Sequence, residues 1–111
     1  MSYKIIPTDR FKKEAKRLIK KFPSLKSELL QLNDLLHTSP TAGTALGSSM
    51  FKIRIAVKSK GKGKSGGARV ITYHVTAQEE IYLLTIYDKS EYESIEDKTI
   101  KRMIDDIIDN Q

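Results

Sequence analysis

The chain has no cysteine among its 111 residues. That excludes a disulfide framework and any thiolate metal site. Its two histidines, His37 and His74, lie far apart in the sequence, so no transition-metal ligand set suggests itself and no metal is expected. No stretch near the N-terminus has the charged and apolar regions of a signal peptide. No apolar run approaches the roughly 20 residues of a membrane-spanning helix. A cytoplasmic protein without membrane attachment is therefore expected. Acids are missing as well: from Leu35 to Gln78 there is not one Asp or Glu. A paired-carboxylate or Mg²⁺ site has no raw material in that span. The run G-K-G-K-S-G-G does not match the phosphate-loop pattern G-x-x-x-x-G-K-[ST], and it joins two strand-like segments rather than a strand and a helix. No nucleotide or other small-molecule cofactor is expected.

What is present is positive charge, unevenly placed. Twenty Lys and Arg stand against fourteen Asp and Glu, a net charge of +6. The acid-free span holds Lys52, Arg54, Lys58, Lys60, Lys62, Lys64 and Arg69. A second basic set, Arg10 to Lys21, contains a single acid, Glu14. The acids gather after Glu79. One-sided charge of this kind favours a polyanionic ligand. The length fits one domain, 1–111, with a modest core.

Periodicity supplies the elements. Tyr3 to Ile6 reads as a short strand stopped by Pro7, with Thr8 or Asp9 able to cap the helix that follows. There Phe11, Ala15, Leu18, Ile19 and Phe22 form one apolar stripe at i, i+4, i+7, i+8 and i+11. Pro23 ends that helix. Ser24 can cap a second one, striped by Leu25, Leu29, Leu32 and Leu36 and widened by Leu30 and Leu35; His37 sits at its C-terminal end. Residues 38–49 are small and read as a connection. Phe51–Val57 alternates apolar and polar residues, and Ala68–Val75 is β-branched and aromatic. The Lys/Gly/Ser run 58–67 makes the tip of a long hairpin between them. Ile81–Tyr87 is nearly continuous in apolar character, as in a strand buried on both faces. Ser94 with Asp97 resembles a capping box for a last helix striped by Ile100, Met103, Ile104, Ile107 and Ile108. The expected fold is α+β: an antiparallel sheet in meander order, two N-terminal helices packed on one face, and a C-terminal helix.

Within strand 51–57, Phe51, Ile53, Ile55 and Val57 point to one face, and Lys52, Arg54, Ala56 and Lys58 to the other. Arg69 and Tyr73 share a face of the next strand, and Tyr87 with Lys89 closes the third. Lys52, Arg54, Arg69, Tyr73, Tyr87 and Lys89 are expected to converge as a cationic cup holding two phenols. Lys58, Lys60, Lys62 and Lys64 are expected on an exposed tip.

The segments F-K-I-R-I-A-V-K-S-K-G-K-G-K-S-G-G-A-R-V-I-T-Y-H-V and I-Y-L-L-T-I-Y-D-K-S-E resemble the RelE/HigB branch of the RelE/ParE superfamily of bacterial toxins, most sharply from Phe51 to Glu91. The resemblance implies a RelE-like toxin fold. It also implies a metal-independent endoribonuclease that cuts mRNA on the ribosome and a cognate antitoxin that silences it. By position it implies that Lys52, Arg54 and Arg69 occupy basic strand sites, with Tyr87 and Lys89 in a catalytic C-terminal segment. The chain has Ser90 where some members carry a second basic residue. RNA is cut there by its own 2′-OH. Arginine suits the phosphate because its planar fork pairs two oxygens. Lysine can act as base if crowding by other cations lowers its pKa. Lys52 is thus expected as base or base-positioning group, Arg54 and Arg69 as phosphate clamps, and Tyr87 or Lys89 near the leaving group. The tip lysines and Tyr73 are expected to bind RNA. Two other readings are a ParE-like gyrase-inhibiting toxin and a non-catalytic basic RNA-binding domain; the paired strand cations and phenols favour the first reading.

Overall fold

The computed structural model describes residues 3–61, 66–91 and 95–109. Eight elements follow in chain order: β1 (Lys4–Pro7), α1 (Asp9–Lys21), α2 (Leu25–Thr38), β2 (Thr44–Gly47), β3 (Met50–Ile55), β4 (Ala68–Val75), β5 (Glu80–Asp88) and α3 (Asp97–Asp109). The sheet order is β1-β5-β4-β3-β2. The expected meander β3-β4-β5 is antiparallel throughout, while β1 joins parallel to β5 at the far edge.

The connection expected at residues 38–49 contains β2, which pairs antiparallel with β3. All four of its residues are exposed, so no apolar alternation marks it in the sequence. Backbone pairing and a tight turn make this strand. Gly47, Ser48 and Ser49 all adopt positive φ, at 89°, 52° and 65°. Small residues tolerate that conformation best.

Two apolar clusters flank the sheet. Alternate β4 residues serve opposite faces: Ala68 and Val70 join Phe11, Ala15, Leu18, Leu25, Leu32 and Leu36 of the helical hairpin. Ile71 and Tyr73 join Ile100 and Met103 of α3. In β5 the alternation breaks. Ile71 pairs with Thr85 but Thr72 pairs with Leu83, which leaves Leu84 in a bulge. The extra residue shifts the phase, so Ile81, Leu83 and Ile86 face the first cluster and Leu84 and Tyr87 the second. This accounts for the nearly continuous apolar run of β5.

The loop before α1 fastens it to that bulge. Thr8 caps α1 by accepting from the Phe11 N–H at 3.1 Å, and its hydroxyl lies 3.0 and 3.1 Å from the Leu83 and Leu84 carbonyls. Glu14 accepts from the Thr85 hydroxyl at 2.7 Å and from the Ile86 N–H at 3.3 Å. The lone acid between Arg10 and Lys21 thus serves the sheet.

The α2 stripe is narrower than its leucines suggest. Leu30 and Leu35 are exposed, and Glu28 is buried in their place. Ser24 makes no side-chain cap on α2. In α3, Ile108 is exposed while Ile104 and Ile107 lie against the second cluster. The capping role expected of Ser94 lies outside the described residues. No described helix is long and apolar enough to cross a membrane.

His74 is buried between Phe51 and Tyr3, at ring-centroid distances of 4.8 and 6.0 Å. Burial holds its imidazole below the ordinary range, against a smaller opposing pull from a hydrogen bond to the Pro40 backbone. As pH falls, the unfolded chain takes up this proton first, near pH 6.5, so stability is complete above that value and declines below it. Urea denaturation midpoints are expected to be lower at pH 5.5 than at pH 7.5. His74→Phe should flatten that difference; an unchanged slope would remove His74 as its source.

Candidate nucleic-acid interface

The β3-β4-β5 register sets Arg54 directly opposite Arg69, and Arg69 directly opposite Tyr87. Three side chains thus form one row across the sheet. Like charges facing each other across strands are destabilising. Arg54 is exposed, whereas Arg69 and Tyr87 are only 3% and 1% exposed. Arg69 lies on a central strand covered on both sides, and its Nη1 donates to the Ala68 carbonyl at 3.1 Å. Burial, then repulsion from Arg54, lowers its pKa, with Tyr87 pulling the other way. Arginine remains charged at neutral pH even so. Burial raises the Tyr87 phenol, opposed by Arg69. The phenol therefore keeps its proton at neutral pH.

Arg69, expected to line a cationic cup, is instead buried within the sheet. The cup is also smaller than expected. Lys52 lies one row along, opposite Ile71, and is half-buried. Tyr73 aligns with Met50 and Tyr82, and it packs against the second cluster. At about 3.4 Å per residue it is roughly 14 Å along β4 from Arg69, so it does not share the arginine row. Lys89 follows the end of β5; its backbone N–H donates to Gly67 at 3.0 Å, and its side chain is half-buried. Gly67 is required by space: a Cβ there would stand 1.9 Å from the Ile55 carbonyl oxygen.

The tip departs most from expectation. Residues Lys58–Lys60 form a 3-10 turn docked on the start of α2. The Lys58 N–H donates to Glu28 Oε2 at 2.8 Å. Ser59 and Ser24 exchange two bonds, each backbone N–H donating to the other's hydroxyl, at 2.9 and 2.7 Å. Ser24 Oγ donates to Glu28 Oε1 at 3.1 Å. Lys60 folds inward: its ammonium pairs with Asp88 and lies 5.4 Å from the Phe22 ring centroid. Its side chain is only 9% exposed, so it is not an open RNA contact. Lys58 is exposed as expected, while Lys62 and Lys64 lie outside the described residues.

Asp88, Glu28 and Ser24 are the residues that patterning missed. Glu28 leaves a signal, because it falls three residues after Leu25 and four before Leu32, on the apolar face of α2. Asp88 is marked only by following an apolar strand. Burial raises the Asp88 pKa, but hydrogen bonds from Lys60 and Ser90 outweigh it and hold the carboxylate below its ordinary value. Among the described residues, no three His, Cys, Asp or Glu side chains cluster closely enough to hold a metal ion.

These elements define a small, basic α+β domain that holds paired guanidinium groups on a sheet face. The family model described as "RelE toxin of RelE / RelB toxin-antitoxin system" matches residues 3–106, and the chain belongs to this RelE toxin family. Its fold is similar to that of a double mutant of the E. coli toxin RelE in the free state. The TM-score is 0.57 at 20% identity, covering 84% of this chain and 90% of that one.

The Lys60–Asp88 pair generates a stability prediction. Lys60→Met leaves a buried, uncompensated carboxylate and should cost about 3 kcal/mol, read from urea denaturation. Adding Asp88→Leu should recover much of that loss. Because the Asp88 pKa is lowered in the folded state, the pair's contribution is present above pH ~4 and is lost as pH falls through the folded value. A single Lys60→Met variant as stable as wild type would show that the pair contributes nothing.

Proposed function

We propose that this chain is the toxin of a toxin–antitoxin pair and acts in the cytoplasm as a ribosome-dependent mRNA endonuclease. The observation that carries this reading is the Arg54–Arg69–Tyr87 row. Two arginines held directly opposite each other on neighbouring strands, one of them desolvated, incur a cost in folding that a dianionic phosphorane would offset.

The reaction needs no group beyond the RNA and the side chains. The ribose 2′-oxygen bonds to the adjacent phosphorus, the bond from phosphorus to the 5′-oxygen breaks, and a 2′,3′-cyclic phosphate and a 5′-hydroxyl result. Lys52, one row along, takes or positions the 2′-OH proton. Arg54 is the exposed member of the row, so it meets the phosphate oxygens first, with its fork suited to two of them. Arg69 beneath it adds fixed positive charge where charge develops. The leaving 5′-oxygen needs a proton. Lys89 is the more accessible donor, and Tyr87 serves a group seated deep in the row. Exposed Lys58, with the lysines at 62 and 64, supplies backbone contacts. The family's toxin–antitoxin pairing supports a cognate antitoxin as partner, with the ribosome and mRNA as targets.

Ribosome-dependent cleavage of a defined mRNA tests the reading. Arg54→Ala should lower cleavage by roughly 10²-fold while changing ribosome affinity much less, because its contact strengthens as charge develops. Arg54→Lys should restore only part, since a point charge lacks the fork. Circular dichroism should be unchanged because Arg54 is exposed. Arg69→Ala should lower both cleavage and stability. Full cleavage by Arg54→Ala would overturn the site. Arrest of replication before translation on induction would point to gyrase inhibition, and ribosome binding without any cleavage to a binding domain.

A further inference from the structure

The turn after β5 is tied at each of its backbone donors. The Glu91 N–H closes it by donating to the Asp88 carbonyl at 2.9 Å. The Lys89 N–H donates to the Gly67 carbonyl at 3.0 Å, and the Ser90 N–H to Asp88 Oδ1 at 3.1 Å. Side chains anchor both ends. Asp88 Oδ1 also accepts from the Lys60 ammonium, and the two Glu91 oxygens accept from Arg17 of α1 at 3.1 and 3.2 Å. The first anchor is buried and the second exposed.

Stability alone does not account for the buried anchor. Two apolar side chains in place of a buried ion pair often hold a fold as well or better. Asp88 Oδ2 is buried too, and among the described residues it has no hydrogen-bond partner. A carboxylate oxygen left in that state carries a cost that an apolar side chain avoids. What the ion pair adds is selectivity for one geometry. The residue held in that geometry is Lys89, two positions and about 7 Å beyond Tyr87. Strand alternation, carried one step past β5 by the Gly67 bond, puts it on the Tyr87 side. Its four-carbon stem is flexible, so an ordered backbone is what limits where its ammonium can reach.

We propose that Lys60 and Asp88 are positioning residues for Lys89. They touch no substrate and act by holding the 88–91 turn so that the Lys89 ammonium reaches the leaving 5′-oxygen. This inference deepens the nuclease reading and rests on its placing of Lys89 at the leaving group. As the bond from phosphorus to the 5′-oxygen breaks, Lys89 passes one proton to that oxygen and becomes a neutral amine. The transfer needs hydrogen-bond contact, so a shift of the turn by about 1 Å is enough to slow it severely. The Arg17–Glu91 pair, being exposed, contributes less.

The test uses the full chain, ribosomes and two versions of one defined mRNA, the second with sulfur in place of the bridging 5′-oxygen at the cut. A thiolate leaves without a proton, so the sulfur substrate bypasses Lys89. Lys60→Met with Asp88→Leu puts an apolar pair at the anchor, with folding checked by urea denaturation. This double variant should lower kcat on ordinary mRNA about tenfold or more while KM changes less than about twofold. Asp88→Asn, which keeps the side chain's shape, should show the same pattern to a smaller degree. On the sulfur substrate both variants, and Lys89→Ala with them, should cleave within about threefold of wild type. A defect that persists on the sulfur substrate, or an undiminished kcat on ordinary mRNA, would overturn the positioning role. If Lys89→Ala is slow and rescued by sulfur while the double variant stays fast, that role alone fails. If wild type cleaves no mRNA, or Lys89→Ala cleaves the ordinary substrate like wild type, the reading beneath it fails as well.

Discussion

The β4–β5 ladder, covered on both faces, is the constraint on which the rest of the molecule depends. A two-sided strand pair must satisfy its backbone internally and supply apolar residues to both sides. The bulge opposite Ile71 and Thr72 reconciles these demands by shifting the phase of β5 midway. Ile81 and Leu83 then face the helical hairpin on one side of it, as does Ile86 on the other. Thr8 and Glu14 bind the backbone and hydroxyl groups around the shift, so the start of α1 and the bulge are fixed together. The same shift puts Tyr87 on the face of Arg69. The register of the Arg54–Arg69–Tyr87 row is thus a consequence of how the core is closed.

That closure explains why the row is costly and also why it persists. Arg69 lies between Arg54 on one neighbouring strand and Tyr87 on the other. The strand ends are tied by a different device. Lys60 and Asp88 meet on the side opposite the row, beside Phe22, and fasten the beginning of the tip to the end of β5. A buried ion pair adds little to net stability compared with an apolar pair, but it is selective about geometry. Here the selected geometry is the approach of the segment after β3 to the residues after Tyr87, where Lys89 also bonds Gly67.

Much of this was legible in the sequence, and the parts that were not share physical causes. Helical stripes and β-branched runs located α1, α2, α3 and the meander because burial imposes those periods. β2 was not legible, since an edge strand of Thr, Ala, Leu and Gly with every residue exposed carries no burial pattern. The parallel pairing of β1 with β5 was hidden because strand order is a tertiary choice. Alternation correctly put Lys52, Arg54, Arg69 and Tyr87 on one face. It placed Tyr73 there too, but parity gives the face without the distance along it. Burial of Arg69 and Lys60 escaped a reading that treats charge as exposed. Each is held by a partner distant in sequence or on a neighbouring strand: Asp88 for Lys60, and Tyr87 beside Arg69.

The acids explain how a chain of modest net charge presents strongly basic surfaces. Glu28 and Asp88 are buried and bind the tip, while Glu14 is occupied by the bulge and by Arg10 at 3.5 Å. These carboxylates do structural work inside or against the fold, so they screen little of the outer charge. The remaining cations lie on strands and helices alike. Arg54 and Arg69 sit on strands, where backbone register can aim a rigid fork at a defined point, while Arg10, Arg17 and Arg102 sit on helices. Lys12, Lys16 and Lys20 line α1, where long flexible stems cover apolar surface while the ammonium heads stay in water. Arg54 and the α1 lysines lie on opposite faces of one sheet, so a substitution at Lys16 alters no contact made by Arg54.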